Sequence, residues 1–169
     1  MAFVVENGSG LSNATSYISV ADADAYAAEV GLTAWTGLTA AKQTALIKAQ
    51  RYITQTYRGL WKGVRTTELQ SLDWPRSDVE DYDGYIIDSD SIPAALKEAQ
   101  VELAARALTA DLISDVAVDG GNITSESSTV GGLNYAVTYA GGKSTQKVYT
   151  VAERLLEPYI VGGGEIVRG

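Results

Sequence analysis

The stretch SIPAALKEAQVELAARALTADLI, Ser91–Ile113, decides how this chain folds. Ser91 and Pro93 open a helix, since proline is tolerated in a first turn where its missing N–H has no partner to lose. Leu96, Ala99, Leu103, Ala107 and Leu108 recur every three or four residues, the stripe of a helix side that faces a core. The spacing predicts the chain's longest helix, ending at about Ile113, and its many alanines let neighbouring helices come close.

The partners of that helix lie on either side of it. Ser19 followed by Asp22 is a capping-box-like start for a helix over Val20 to Glu29, which Gly31 stops by taking the left-handed C-terminal position. A second helix, about Ala40 to Tyr57, repeats Leu46, Ala49, Ile53 and Tyr57 on one face and ends at Gly59. Leu60 to Ile92 shows no sustained period, and Trp74-Pro75, Asp83-Gly84 and many acids read as a long ordered loop. Loops of this length in compact domains are usually functional or bound by a partner.

Downstream, Ile123 to Val130 and Leu133 to Tyr139 flank Gly131-Gly132 and read as a β-hairpin, about residues 122–140. A final helix from about Gln146 to Tyr159 carries Val148, Val151, Ala152, Leu155 and Leu156 on one face, with Pro158 near its end. Gly162-Gly163-Gly164 then begins a flexible tail over 162–169. The expectation is a mainly α fold: a small bundle of about four helices in one domain, 1–161, with an inserted hairpin and a long ordered loop. A two-strand ribbon is marginal alone in water, which points toward pairing with another chain.

Composition narrows the function. The 169 residues are 46% hydrophobic and suit one domain with a single core. No apolar run approaches the roughly 18 residues of a membrane-spanning helix, and Glu6 interrupts any secretory core near the N-terminus, so no membrane and no export are expected. There is neither cysteine nor histidine, which removes thiolate nucleophiles, imidazole bases and the usual zinc ligands together. Without histidine no conventional nucleophile–base pair can be built from the serines and threonines, and the chain is expected to be no enzyme and to need no cofactor.

The net charge of -8 disfavours tight binding to a phosphate backbone, yet the charge is uneven. Val30 to Thr67 holds no acid but Lys42, Lys48, Arg51, Arg58, Lys62 and Arg65; Ser77 to Ser91 holds no base but Asp78, Glu80, Asp81, Asp83, Asp88 and Asp90. In a ring each segment could face its neighbour's complement, which makes Arg51, Arg58, Asp81 and Asp83 candidate interface residues; pairing within one chain explains the charges equally well. Asp81-Tyr82-Asp83-Gly84 does not fit a calcium loop, because alignment on Gly84 puts Val79 at the first ligand position. Tyr52, Tyr57 and Trp61 interleave with Arg51 to Arg65 as base-stacking aromatics do in single-strand binders, but Tyr57 belongs to the buried stripe, which favours a core role.

Three segments together, Thr15 to Tyr26 (TSYISVADADAY), Gln70 to Arg76 (QSLDWPR) and Asp90 to Ala99 (DSIPAALKEA), resemble the adaptor, or head–tail connector, proteins of tailed bacteriophages. The chain is similar to the branch labelled DnaT-like single-stranded-DNA-binding proteins, over nearly its whole length. The resemblance implies a structural virion protein assembled in the host cytoplasm: a ring, typically a dodecamer, that docks on the portal and joins capsid to tail. Genome DNA would pass through its channel without specific binding, and the next neck component, a stopper or tail terminator, would sit below. The family's C-terminal tail reaches the portal, which maps onto Glu165, Ile166, Val167 and Arg168, while Trp74, Pro75 and Arg76 would anchor the loop or a subunit interface. The alternative is a single-stranded-DNA-binding replication protein.

Overall fold

The computed structural model describes residues 2–113, 123–129, 134–139 and 149–161. Among them the fold is mainly helical: α1 (Val20–Glu29), α2 (Thr39–Tyr57), α3 (Ala94–Ala107) and α4 (Thr150–Leu156), the last running into a 3-10 turn, Glu157–Tyr159. Two short antiparallel ladders complete it, β1 (Val64–Arg65) with β2 (Arg76–Ser77) and β3 (Ile123–Thr129) with β4 (Asn134–Tyr139). The chain divides into two compact units, residues 1–112 with 149–169, and residues 113–148. The second contains the expected hairpin, whose register runs from Ile123 opposite Tyr139 to Thr129 opposite Asn134, with an irregularity between Ile123 and Ser125.

In the first unit α3 packs against α1, α2 and α4. Its position explains its composition: Leu96, Ala99, Val101, Leu103, Ala104 and Ala105 are all buried, so the apolar surface runs round the helix instead of along one stripe. Alanine at so many of these sites keeps the helix thin enough for neighbours on several sides. From α2 the expected stripe, Leu46, Ala49, Ile53 and Tyr57, meets it. Helix α1 starts as its sequence directs, with the Ser19 hydroxyl accepting from the Asp22 amide at 3.1 Å.

Helix α3 stops at Ala107, short of Ile113, and α2 is the longest described helix. The cause is local. The amides of Thr109 and Ala110 both donate to the Arg106 carbonyl, and the Thr109 hydroxyl donates to the same oxygen at 3.1 Å, which tightens the last turn. Leu112 then returns to the core, its carbonyl accepting from the Tyr149 hydroxyl at 3.1 Å. Helix α4 is shorter than expected at its C-terminal end as well, because the Glu157–Tyr159 turn around Pro158 is 3-10. Ala152 and Leu156 are its buried residues, whereas Val151, expected on that face, is 47% exposed. Residues 146–148 and the tail 162–169 lie outside the described residues.

The long loop is ordered and contains pairing that no periodicity announces. Val64 faces Ser77 and Arg65 faces Arg76, and the ladder is held from within by the Arg76 guanidinium. Its Nε donates to the Lys62 carbonyl at 2.7 Å, Nη2 to Gly63 at 2.6 Å and Nη1 to Asp73 at 3.2 Å. Glycine is required at position 63: φ is +62° and a Cβ would lie 2.1 Å from the Ser77 carbonyl oxygen.

Candidate functional site: an arginine cleft and an acidic turn

The segment Gln70 to Arg76 is built inward. Trp74 is fully buried, edge-on to Trp61 at 6.0 Å between ring centroids and to Tyr159 at 5.6 Å, with Tyr57 behind Trp61 at 5.9 Å. Such pairs add about 0.5–1.5 kcal/mol each beyond area burial. Pro75 follows through a cis peptide and is also buried. Gln70 braces the segment, donating to the Leu72 and Pro75 carbonyls and accepting from the Thr67 amide, all at about 3 Å.

Asp73 links this segment to the helices. Its amide donates to the Tyr17 hydroxyl at 3.1 Å, and its Oδ1 accepts from Arg58 Nε at 2.9 Å. Burial, reinforced by the Asp73 charge, pushes the Tyr17 hydroxyl well above the ordinary tyrosine range. The Tyr17 amide in turn donates to Gln100 Oε1 at 2.9 Å, and Gln100 Nε2 donates to Ser16 Oγ and to the Leu46 carbonyl, each at 2.9 Å. Thus Tyr17, Asp73 with Trp74, and Gln100 beside Leu96 and Ala99 interlock in one buried polar and aromatic assembly.

On the outer side of Asp73 opens a cleft of about 320 Å³ lined by Arg58, Val64, Arg65, Asp73 and Arg76. Three guanidiniums face one carboxylate. Arg76 is consumed by backbone carbonyls, and burial pulls it below its ordinary value. Arg58 uses only Nε on Asp73, and Arg65 uses one Nη1 on the Gln70 carbonyl, so both keep N–H groups without a partner among the described residues. Asp73 Oδ2 is buried and also has no hydrogen-bond partner there.

The acidic loop is a shaped turn. Val79 is buried and its carbonyl accepts from the Ile87 amide at 2.9 Å; Glu80 then bridges Ile86. Asp81 Oδ1 accepts from the amides of Asp83 and Tyr85, both at 2.9 Å, and Gly84 supplies a φ of +83°. Tyr82, Tyr85 and Ile86 stand out at 70%, 73% and 73% exposure. No acid of this loop forms an ion pair among the described residues. The described salt bridges join Lys42 to Asp24, Lys48 to Asp111, Arg58 to Asp73 and Arg106 to Glu102.

Of the residues singled out from the sequence, Trp74, Pro75 and Arg76 lie buried in the loop's foot, and Arg58 lines the cleft with Arg76. Arg51 is exposed on α2 and does not line it, while Asp81 and Asp83 occupy the acidic turn. Glu165, Ile166, Val167 and Arg168 lie outside the described residues. Tyr52, Tyr57 and Trp61 are each only 5% exposed, so none offers a ring face for a base to stack on.

Sequence reasoning noted Arg65 only as charge and Gln70 and Asp73 only within a motif, gave none of them a site role, and passed over Gln100, whose partners Tyr17, Ser16 and Leu46 are distant in sequence. Glu6 was read only as a break in an apolar run, whereas it is a buried carboxylate that accepts from the amides of Gly8, Gly10 and Leu11 at 2.8–3.0 Å. The two glycines closely following Glu6 were the available signal: with φ of +100° and +74° they turn their amides onto one carboxylate.

No curated protein and no solved structure matches the chain. A family model does, over residues 1–169. The chain therefore belongs to the family described as "Putative DnaT-like ssDNA binding protein".

Proposed function

We propose that this protein is a structural subunit of the head–tail junction of a tailed phage. Copies close into a ring on the portal, join the capsid to the tail, and let genome DNA pass without specific binding; the protein acts in the virion and catalyses nothing. The observation that carries this reading is the division of labour within the chain. The first two motifs resembling connector proteins meet through Tyr17 and Asp73, Gln100 just past the third motif joins Tyr17, and Trp74 packs on Trp61 and Tyr159, so these groups are spent inside the fold. What remains outside is an acidic turn with three exposed apolar side chains and no internal ion-pair partner among the described residues, the chemistry of a protein interface. Negative-stain imaging of the purified protein mixed with its phage's portal tests the reading. Rings capping the portal are expected; a monomer that ignores portal would overturn it.

A second reading, single-stranded-DNA binding, is favoured by the family's description and by the N–H groups of Arg58 and Arg65 that have no partner among the described residues. Against it stand the net charge of -8 and the burial of Tyr52, Tyr57 and Trp61. Fluorescence anisotropy with a labelled oligonucleotide across a salt series separates the two. Two phosphate contacts would give a slope of log affinity on log salt of about -1.4, and tight binding at physiological salt would establish this reading instead.

A further inference from the structure

We propose that the arginine cleft of one subunit receives the acidic turn, Asp81 to Ile86, of a second copy in a head-to-tail contact. This rests on the assembly reading above and names the surfaces through which it would occur.

The cleft and the turn match in charge and in apolar content. On the receiving side, Arg58 and Arg65 carry N–H donors with no partner among the described residues, and Val64, 58% exposed, lines the same cleft. On the entering side, the Asp83 carboxylate and Asp81 Oδ2 have no partner among the described residues, and Tyr82, Tyr85 and Ile86 flank them. Carboxylates suit the forked guanidinium donors, and a tyrosine face beside a guanidinium adds a cation–π contact. The turn's own hydrogen bonds already fix its shape, so little ordering entropy is lost on docking.

A second copy is a better occupant than a nucleic acid. A nucleic-acid strand would bring a continuous run of phosphates against a chain of net charge -8, whereas the turn brings a few carboxylates together with the apolar side chains that suit Val64. Turn against turn is excluded by like charge, so the complementary contact is turn into cleft. That contact is heterologous, the kind that closes a ring when its rotation closes.

The chain has no cysteine, which makes the test clean. Full-length Arg65→Cys and Asp83→Cys variants are treated with a short bis-maleimide linker, singly, mixed, and as the double variant, alone and with portal, and the same samples are sedimented. Cross-linked dimers only in the mixture, and a ladder of oligomers from the double variant, are expected. Dimers from either single variant alone would indicate a two-fold contact and overturn the proposal, as would a link confined within one chain. An oligomer that sediments but does not cross-link would overturn this contact while leaving the assembly reading standing. A monomer with no cross-link, with or without portal, would remove both. Loss of oligonucleotide binding in Arg65→Cys without any cross-link would give the cleft to nucleic acid instead.

Discussion

Replacing Gln100 with methionine tests whether the buried polar assembly holds the first compact unit together. Gln100 is fully buried, and methionine keeps its length and nearly its volume, so the cavity contribution is small. What changes is hydrogen bonding. The Tyr17 amide loses its acceptor at Gln100 Oε1, while Ser16 Oγ and the Leu46 carbonyl lose a donor. Ser16 Oγ keeps its bonds to Ile18, and Leu46 O lies within α2, where the helix ladder uses it, so the orphan is the Tyr17 N–H. An unsatisfied buried amide costs about 1–3 kcal/mol and the two lost neutral bonds about 1 kcal/mol more, giving about 2–4 kcal/mol in all. For a chain of this size that is a fall in Tm of about 5–15 °C. Urea denaturation followed by circular dichroism, with calorimetry for Tm, measures it. A Gln100→Met protein within about 0.5 kcal/mol of the parent would show that apolar packing alone joins Tyr17 to α3, and that the polar assembly is incidental.

Other outcomes follow from the same structure. Trp74→Ala should cost about 3–5 kcal/mol, since it empties the centre of the cluster with Trp61 and Tyr159, and should abolish assembly; a variant that assembles normally would refute this. Raised tyrosine values make stability alkali-sensitive. The Tyr17 and Tyr57 hydroxyls, pushed up chiefly by burial, favour the folded state's protonated form, so their contribution is whole below pH about 10 and is lost as pH rises beyond it. Tyr17→Phe should reduce that loss in a denaturation series taken through the alkaline range. Asp24 acts in the opposite direction: the hydrogen bond from Lys42 holds its carboxyl below the usual range, so its contribution is present at neutral pH and fades as pH falls below about 4. Deleting Glu165 to Gly169 should leave melting unchanged and weaken sedimentation with portal; loss of the folded monomer would count against this.

The helices were legible because each rule behind them is local. The cap at Ser19, the stop at Gly31 and the three-and-four spacing of Leu46, Ala49, Ile53 and Tyr57 act within a turn or two of themselves. The end of α3 was misjudged because Leu108 and Leu112 continue an apolar spacing across Thr109, whose hydroxyl competes for the Arg106 carbonyl. The β1 and β2 ladder was invisible for another reason. Its residues follow no alternation, and what pairs them is the reach of Arg76 back to Lys62 and Gly63. The cleft shared that fate. Arg58 and Arg65 were noticed as charge, but only folding shows that Asp73 takes one of them and leaves donors free on both.

The fate of the basic residues bears on the choice between the two readings. With 13 bases against 21 acids, avid binding to a polyanion would require the bases to be concentrated and free. Instead Lys42, Lys48, Arg58 and Arg106 each meet an acid of the same chain, and Arg76 is enclosed among carbonyls. None of these partners comes from the acidic turn: pairing within the chain takes up Lys42, Lys48 and Arg58 of the basic segment and leaves the turn's acids without an ion pair among the described residues. On the connector reading, a net charge of -8 would suit a channel through which a genome must slide, because every retained phosphate contact would add drag through counterion exchange. The same unpaired acids, beside exposed tyrosines and an isoleucine, have most to gain from guanidiniums supplied by another subunit.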